Sequence, residues 1–345
     1  MGAEGQELMA MMTRVVLARH IDGVPGPDDF RLETLPIPEV SDGQFLVAHS
    51  YVSADPGTRS RLSPGASYAP PLQPGDPIDG FAVGRVMQSR HPKFAEGALV
   101  TVGSGGWATH SISKGRGYVM ALPDLGVPDS AWIGVLGVPG MTAWFGLKRV
   151  AGIEPGARVL VTSAAGPVGA TAGQLARHFG AAQVIGLAGG EEKRRWLVEQ
   201  AGFDAALDYR SMDLETQIAA AMPEGIDILF DNVGNALIDR MLPMMRIRGR
   251  IVVSGQVADY NTPLSEVPGL KQTREFIARR LRMEGMVVFD DLAGFADAQA
   301  EVVGMLRDGR LATREVIRDG IEALPGLFSE LFTGTDFGRR LVRIV

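Results

Sequence analysis

Residues 158–190 read RVLVTSAAGPVGATAGQLARHFGAAQVIGLAGG. Arg158 to Thr162 is a short apolar run rich in β-branched residues, which predicts a buried strand, and Val168 to Phe179 follows with a helical pattern. Gly166, Gly169 and Gly173 fall at the strand-to-helix turn and along the first two turns of that helix. A pyrophosphate needs backbone amides aimed at it from a helix N-terminus, and positions without a side chain let the backbone approach while the helix packs close to the sheet. A glycine pattern alone is weak evidence. Here it follows a strand, opens a helix and heads a repeating unit, so the stretch predicts a dinucleotide cradle.

Working outward, strands are predicted at Gln183–Leu187, Ala205–Leu207, Ile226–Phe230, Arg250–Ser254 and near Met283–Val288, with helices at Glu191–Gln200, Leu214–Ala221 and Leu237–Met244 between them. Together with the first strand they form an α/β Rossmann fold, a doubly wound six-stranded parallel sheet. Upstream, helical stretches are predicted at Ser130–Val135 and Thr142–Val150. From Arg14 to about Pro123 the short apolar runs Arg14–Ala18, Gln44–Val52, Ile78–Met87 and Ala98–Val102 are cut by Pro, Gly and Asp, which predicts strands and turns. GSGGW at 103–107 has no helix pattern after it and reads as a hairpin loop. Beyond Leu292 a helix to about Leu306 and a closing strand at Arg339–Val345 remain. The expected division is a strand-rich catalytic domain over 1–130, a nucleotide domain over 131–298, and a return to the first domain over 299–345. Met241, Met244 and Met245 read as helix packing, and Arg246, Arg248 and Arg250 as a solvated turn.

The end of the second strand carries a charge code. NAD enzymes place Asp or Glu there for the ribose 2′-hydroxyl. This chain has Ala188, Gly189 and Gly190, then Lys193 with Arg194 or Arg195 within one helical turn. Missing acid and added base suit a 2′-phosphate, so the expected cofactor is NADP. A net charge of −6 without a dense Lys/Arg block argues against nucleic acid. With no cysteine there is no thiolate nucleophile and no Cys-based zinc site, and His20, His49, His91, His110 and His178 are scattered, so no metal is expected. The N-terminal residues lack a basic, then apolar, signal pattern, and no later run approaches about 18 apolar residues. A cytoplasmic protein without a membrane partner is the expectation.

Several ordered segments carry a resemblance: VSADPGTRSRL at 52–62, LGVPGMTAWFGL at 136–147, SAAGPVGATAGQLA at 163–176, GFDAALDYR at 202–210, DNVGN at 231–235, SGQVADYN at 254–261 and RRLRMEGMVVFD at 279–290. Along almost its whole length the sequence resembles the medium-chain dehydrogenase/reductase superfamily, in the zinc-free branch of leukotriene B4 dehydrogenases, prostaglandin reductases and plant 2-alkenal double-bond reductases. The resemblance implies that Thr142, Gly166, Val168 and Gly169 line the phosphates and nicotinamide ribose. It places Gly189, Lys193 and Tyr209 at the 2′-phosphate, Asn232 on the cofactor, and the backbone of Val287, Val288 and Phe289 at the carboxamide. Tyr260 would face the nicotinamide ribose and the substrate carbonyl, with Tyr51 and Gly57 at the substrate pocket. The implied reaction is hydride transfer to the β-carbon of an α,β-unsaturated aldehyde or ketone, in a homodimer that extends its Rossmann sheets edge to edge. A quinone reductase and a non-catalytic NADP-binding sensor or partner module are the alternatives. Three departures stand out: Gly57 and Thr58 where the branch has Tyr and Met, Asp336 where it has Asn, and Asn235 where a second glycine is common.

Overall fold

Short apolar runs cut by Pro, Gly and Asp favour antiparallel pairing over helix. In the computed structural model, which describes residues 10–64, 70–103, 105–334 and 337–345, the N-terminal part is accordingly built of strands. These are β1 (Met11–Leu17), β2 (Phe30–Pro36), β3 (Phe45–Ser53), β4 (Ala82–Ser89), β5 (Leu99–Val102), β6 (His110–Ser113) and β7 (Val119–Ala121). β1 and β2 form an antiparallel pair, Met11 opposite Pro36 and Leu17 opposite Phe30. The chain divides into two units. The first takes the described residues up to Ile133 with Ile317–Gly334 and Arg340–Val345. The second takes Gly134–Val316 and the described part of the segment ending at Arg339.

The second unit runs α1 (Val138–Phe145), β8 (Arg158–Val161), α2 (Pro167–His178), β9 (Gln183–Leu187), α3 (Glu191–Glu199), β10 (Ala205–Leu207), α4 (Leu214–Ala221), β11 (Ile226–Asp231), α5 (Asn235–Met241), β12 (Met245–Val253), α6 (Arg274–Arg279), β13 (Arg282–Gly285) and α7 (Phe295–Arg307). Its six strands lie in the order β10-β9-β8-β11-β12-β13, and all adjacent pairs are parallel. This is the doubly wound Rossmann order, and it reverses direction at β8, where β9 and β11 leave on opposite sides. Leu160, Ile185, Leu187, Leu229, Ile238 and Met241 are among the apolar side chains buried together on one face. On the other face α2 packs so close that a Cβ on Gly173 would lie 2.5 Å from Phe203 Cε2.

The chain then returns through β14 (Glu315–Asp319), α8 (Leu324–Thr333) and β15 (Arg339–Arg343). The resulting sheet runs β14-β15-β3-β4-β5-β7, with β6 also beside β3. Phe30, Trp107 and Phe328 meet at the heart of the first unit, with ring centroids 5.3 to 5.9 Å apart.

The sequence-based elements are recovered with local corrections. The stretch expected as a helix at Ser130–Val135 is a 3-10 turn, Asp129–Ile133. β12 begins at Met245 rather than Arg250, because Arg248 adopts φ 66° and bulges out, and the register with β11 shifts across that point. Arg250 is not solvated: its guanidinium donates to the carbonyls of Ala151 and Gly152, the latter at 2.7 Å. β2, β6, β7, β14, α6 and α8 carry no expectation from the sequence. Asp336 lies outside the described residues.

Candidate cofactor site

The loop after β8 is tight because its backbone turns back on itself. Ser163 sits at φ 47°, a left-handed conformation that a non-glycine residue adopts at a cost of about 1 to 3 kcal/mol. Its carbonyl accepts the Gly166 N–H at 3.0 Å. A Cβ on Gly169 would lie 2.5 Å from that same carbonyl and 2.8 Å from Ala164 Cα, so glycine is the residue the loop tolerates. Gly166 caps α2, Pro167 starts it and Val168 follows in the first turn. A small pocket beside the loop is lined by Gly166, Pro167, Thr171, Trp196, Arg314, Glu315 and Arg339, so two guanidinium groups and one carboxylate border the helix N-terminus. The first turn of α2 carries no acidic side chain, and a helix start of that kind suits a phosphate.

The C-terminal ends of β8, β11 and β12 are tied into one polar knot. Thr162 Oγ1 donates to Asp231 Oδ1 at 2.7 Å and accepts the Asn232 backbone N–H at 2.9 Å. The Asn232 side chain donates to the Thr162 carbonyl at 2.8 Å and accepts from Ser254 Oγ at 2.7 Å. Asp231 Oδ2 accepts the backbone N–H groups of Val233 and Gly234. Burial raises the Asp231 carboxyl to about 6 against these bonds, and Asp259 nearby pushes the same way. The loop after β12 is anchored to this knot through Val257 N–H to Asn232 O at 3.2 Å and Ala258 N–H to Val233 O at 3.1 Å. It carries Tyr260, half-buried, whose hydroxyl accepts from the Gln256 N–H at 3.5 Å. Val287, Val288 and Phe289 follow β13, with Met286 N–H bonded to Val253 O at 3.2 Å, and only Val288 is buried. Thr142 lies on buried α1, and its hydroxyl donates to Val138 O at 2.8 Å.

At the end of β9 the sequence-predicted cations separate by role. Arg195 pairs with Glu191 one turn away at 2.7 Å. Arg194 turns to Asp208 at 2.9 Å. Lys193 is half-buried on the same helix. A Cβ on Gly189 would lie 3.0 Å from Tyr209 Cε1 and 3.3 Å from the Arg210 guanidinium. The structure thus brings Gly189, Tyr209 and Arg210 together with no acid at the strand tip. Sequence reasoning missed Thr162, Asp208, Arg210, Ser254 and Arg314. Asp208 and Arg210 flank Tyr209 in the DYR triplet, which is where their signal lay.

In the first unit, Tyr51 sits on β3 opposite Val83 on β4 and Arg343 on β15. Gly57 lies in the 3-10 turn Pro56–Arg61, where its carbonyl accepts from Ser60 Oγ at 2.8 Å. Arg59 in that turn is buried and donates to Gly23 O at 2.9 Å and Ser63 Oγ at 2.7 Å. His49 is fully enclosed, with Nδ1–H donating to Ala108 O at 2.7 Å and Nε2 accepting from Ser111 Oγ at 2.8 Å. Desolvation pushes it down to about 4. Among the described residues no three His, Asp or Glu side chains gather as a metal site. No helix of the described residues is long and apolar enough to cross a membrane.

The chain is similar to known proteins along most of its length. Residues 13–121 match the family described as the N-terminal domain of oxidoreductase, and residues 167–304 the family described as zinc-binding dehydrogenase. The NADPH-dependent curcumin reductase of Escherichia coli is 38% identical over 96% of this chain and 96% of its own. The NADP(+)-dependent 2-alkenal reductase of Nicotiana tabacum is 35% identical over 96% and 97%. The crystal structure of CurA from Vibrio vulnificus in complex with NADPH superimposes with a TM-score of 0.89 at 32% identity, covering 96% of this chain and 99% of that one. With a cradle that admits a pyrophosphate and a strand tip that lacks the ribose acid, the chain belongs to the zinc-free leukotriene B4 dehydrogenase and prostaglandin reductase branch of the medium-chain dehydrogenase/reductase superfamily and is an NADP-dependent oxidoreductase.

Proposed function

We propose that this enzyme reduces the carbon–carbon double bond of α,β-unsaturated aldehydes or ketones. The observation that carries the reading is that relatives at 38% and 35% identity, each matched over 96% of this chain, are named for curcumin and 2-alkenals, both conjugated carbonyl compounds. NADPH, when bound, supplies the hydride for the β-carbon. Gly166, Val168 and Gly169 hold its phosphates against the start of α2, with Thr142 lining the neighbouring wall. Lys193 and Tyr209 hold the 2′-phosphate beside Gly189, Asn232 fixes the cofactor at the sheet end, and the backbone of Val287, Val288 and Phe289 meets the carboxamide.

The protein's chemical task is then the carbonyl oxygen, where negative charge grows as the β-carbon is reduced. Tyr260 or the cofactor ribose hydroxyl donates a hydrogen bond to that oxygen, and solvent or Tyr260 supplies the proton to the α-carbon that completes the reduction. The loop of Tyr260 is held by backbone bonds to Asn232 and Val233, which fixes the hydroxyl before substrate arrives. Tyr51 and Gly57 are assigned to the substrate pocket, and glycine in place of a bulky side chain favours larger substrates. β13 is an edge strand with all four residues exposed, Met283 among them, so a second copy pairing there makes the expected homodimer. The cytoplasm, which regenerates NADPH, is the expected setting.

A panel of enals, enones and quinones tests this. The purified enzyme should consume NADPH with an enal or enone and use NADH poorly, and Tyr260→Phe should lower kcat by about 100-fold or more. Quinone turnover without alkenal reduction overturns the substrate class. Tight NADPH binding with no turnover on any carbonyl overturns catalysis altogether. A monomer in sedimentation velocity overturns the edge-strand dimer.

A further inference from the structure

Asp208 is an acid set next to the expected position of a phosphate dianion, an arrangement that looks self-defeating when the residue is taken alone. Its surroundings reverse the sign. Arg210 Nε donates to Asp208 Oδ1 at 3.0 Å and Arg210 Nη2 to Oδ2 at 3.1 Å, a bidentate fork, while the Arg210 backbone N–H also reaches Oδ1 at 3.0 Å. Arg194 Nη1 donates to the second oxygen at 2.9 Å. Two guanidinium groups on one carboxylate leave the cluster cationic. Arg210 holds the Asp208 carboxyl down to about 2, so the carboxylate stays ionised at any working pH.

The fork also fixes direction. Nε and one Nη2 hydrogen are spent on Asp208, which leaves the Nη1 edge of a planar group to reach elsewhere. Arg210 Cζ and Nη2 lie 3.3 Å from the place a Cβ of Gly189 would take, at the strand tip where NAD enzymes keep their ribose acid. As an exposed ion pair this fork contributes little to stability, so its consequence is positional.

We propose that Arg210 is a second cationic ligand of the cofactor 2′-phosphate, and that Asp208 is the positioning residue that holds its guanidinium against Gly189. The proposal rests on the reading that Lys193 and Tyr209 bind that phosphate at this end of the sheet.

Calorimetric titration of the full chain with 2′,5′-ADP and with 5′-AMP, which lacks the 2′-phosphate, tests the proposal without turnover. Arg210→Gln should weaken 2′,5′-ADP by about ten-fold while 5′-AMP shifts by less than about two-fold, and the salt dependence of 2′,5′-ADP binding should flatten. Asp208→Asn should also weaken 2′,5′-ADP, by about three-fold or more, because the freed guanidinium loses its fixed direction. If Asp208→Asn instead tightens 2′,5′-ADP, Asp208 is only a repelling charge and its positioning role is overturned. If Arg210→Gln binds 2′,5′-ADP like the parent while Lys193→Ala does not, the role of Arg210 is overturned and the phosphate site stands. If both variants bind like the parent, the phosphate site itself is misplaced.

Discussion

At Gly173 a single hydrogen atom separates α2 from Phe203. A side chain there meets the ring at 2.5 Å or less, so Gly173→Val should force the helix off the sheet and cost about 1 to 3 kcal/mol, read as a lower Tm. An unchanged Tm would show that the helix is not seated as described. The glycine itself was legible from the strand–turn–helix context, but its partner was not, since Phe203 sits in an irregular turn before β10 where no periodicity marks it. Charges behave likewise. Lys193, Arg194 and Arg195 are neighbours in sequence, yet Arg195 bonds Glu191 on the exposed face and Arg194 turns to Asp208. With Lys193 at the 2′-phosphate as proposed, Lys193→Ala should raise the KM for NADPH about ten-fold or more, and Arg195→Ala, whose guanidinium is held by Glu191, should leave it within about two-fold. Equal effects would mean that the helix presents its cations differently.

Among the elements, the polar knot at the ends of β8, β11 and β12 is the piece that holds the site together. Thr162→Val removes the hydroxyl that donates to Asp231 and accepts from Asn232, leaving two buried groups without that partner. The expected loss is about 1 to 3 kcal/mol of stability, together with weaker NADPH binding as Asn232 loosens. A variant that melts and binds like the parent would show that the knot is redundant. Regular elements such as β9 and α4 could be read residue by residue, because their apolar spacing matched one period. β12 could not, since RIRGR looks like a charged turn until Arg248 takes a left-handed conformation and lets the strand pass through it. α8 was hidden by Pro325 and Gly326, which look like breakers but stand in the first helical turn, where proline lacks nothing the helix needs. Tyr260 was singled out only through resemblance. A tyrosine in a loop carries no local pattern, and the backbone bonds that hold its loop come from residues more than twenty positions away.

For the whole molecule, two buried titrating groups in different units oppose each other. His49 in the first unit stays neutral down to about 4, whereas the unfolded chain takes up that proton near 6.5, so lowering the pH through this window removes up to about 3 kcal/mol of stability. Asp231 in the second unit has the reverse sign. Its folded value near 6 lies above the ordinary 3.8, so the native state holds the extra proton in between, and lowering the pH through 6 gains stability of similar size. Between about pH 6 and 4.5 the first unit should therefore loosen before the second. Hydrogen exchange corrected for intrinsic rates checks this: amides of β3, β4 and β6 should lose protection while those of β8, β11 and β12 keep theirs. The opposite order would refute the assignment of the two groups. A change of rhythm near residue 130 marks where short strands and turns give way to alternating strands and helices. The path of the chain between the parts was less legible, because β14 and α8 gave no strong signal.

That path bears on how the protein is made. The second unit is drawn almost wholly from one continuous stretch, Gly134–Val316, whereas the sheet of the first is completed by β15, whose Leu341 and Val342 pair with Ser53 and Val52 on β3. On the ribosome the stretch synthesised in the middle has its central sheet available first. The strands that emerged earlier must wait, their edge unfilled, until residues 340–343 leave the exit tunnel, so the first unit is completed after the stretch that interrupts it.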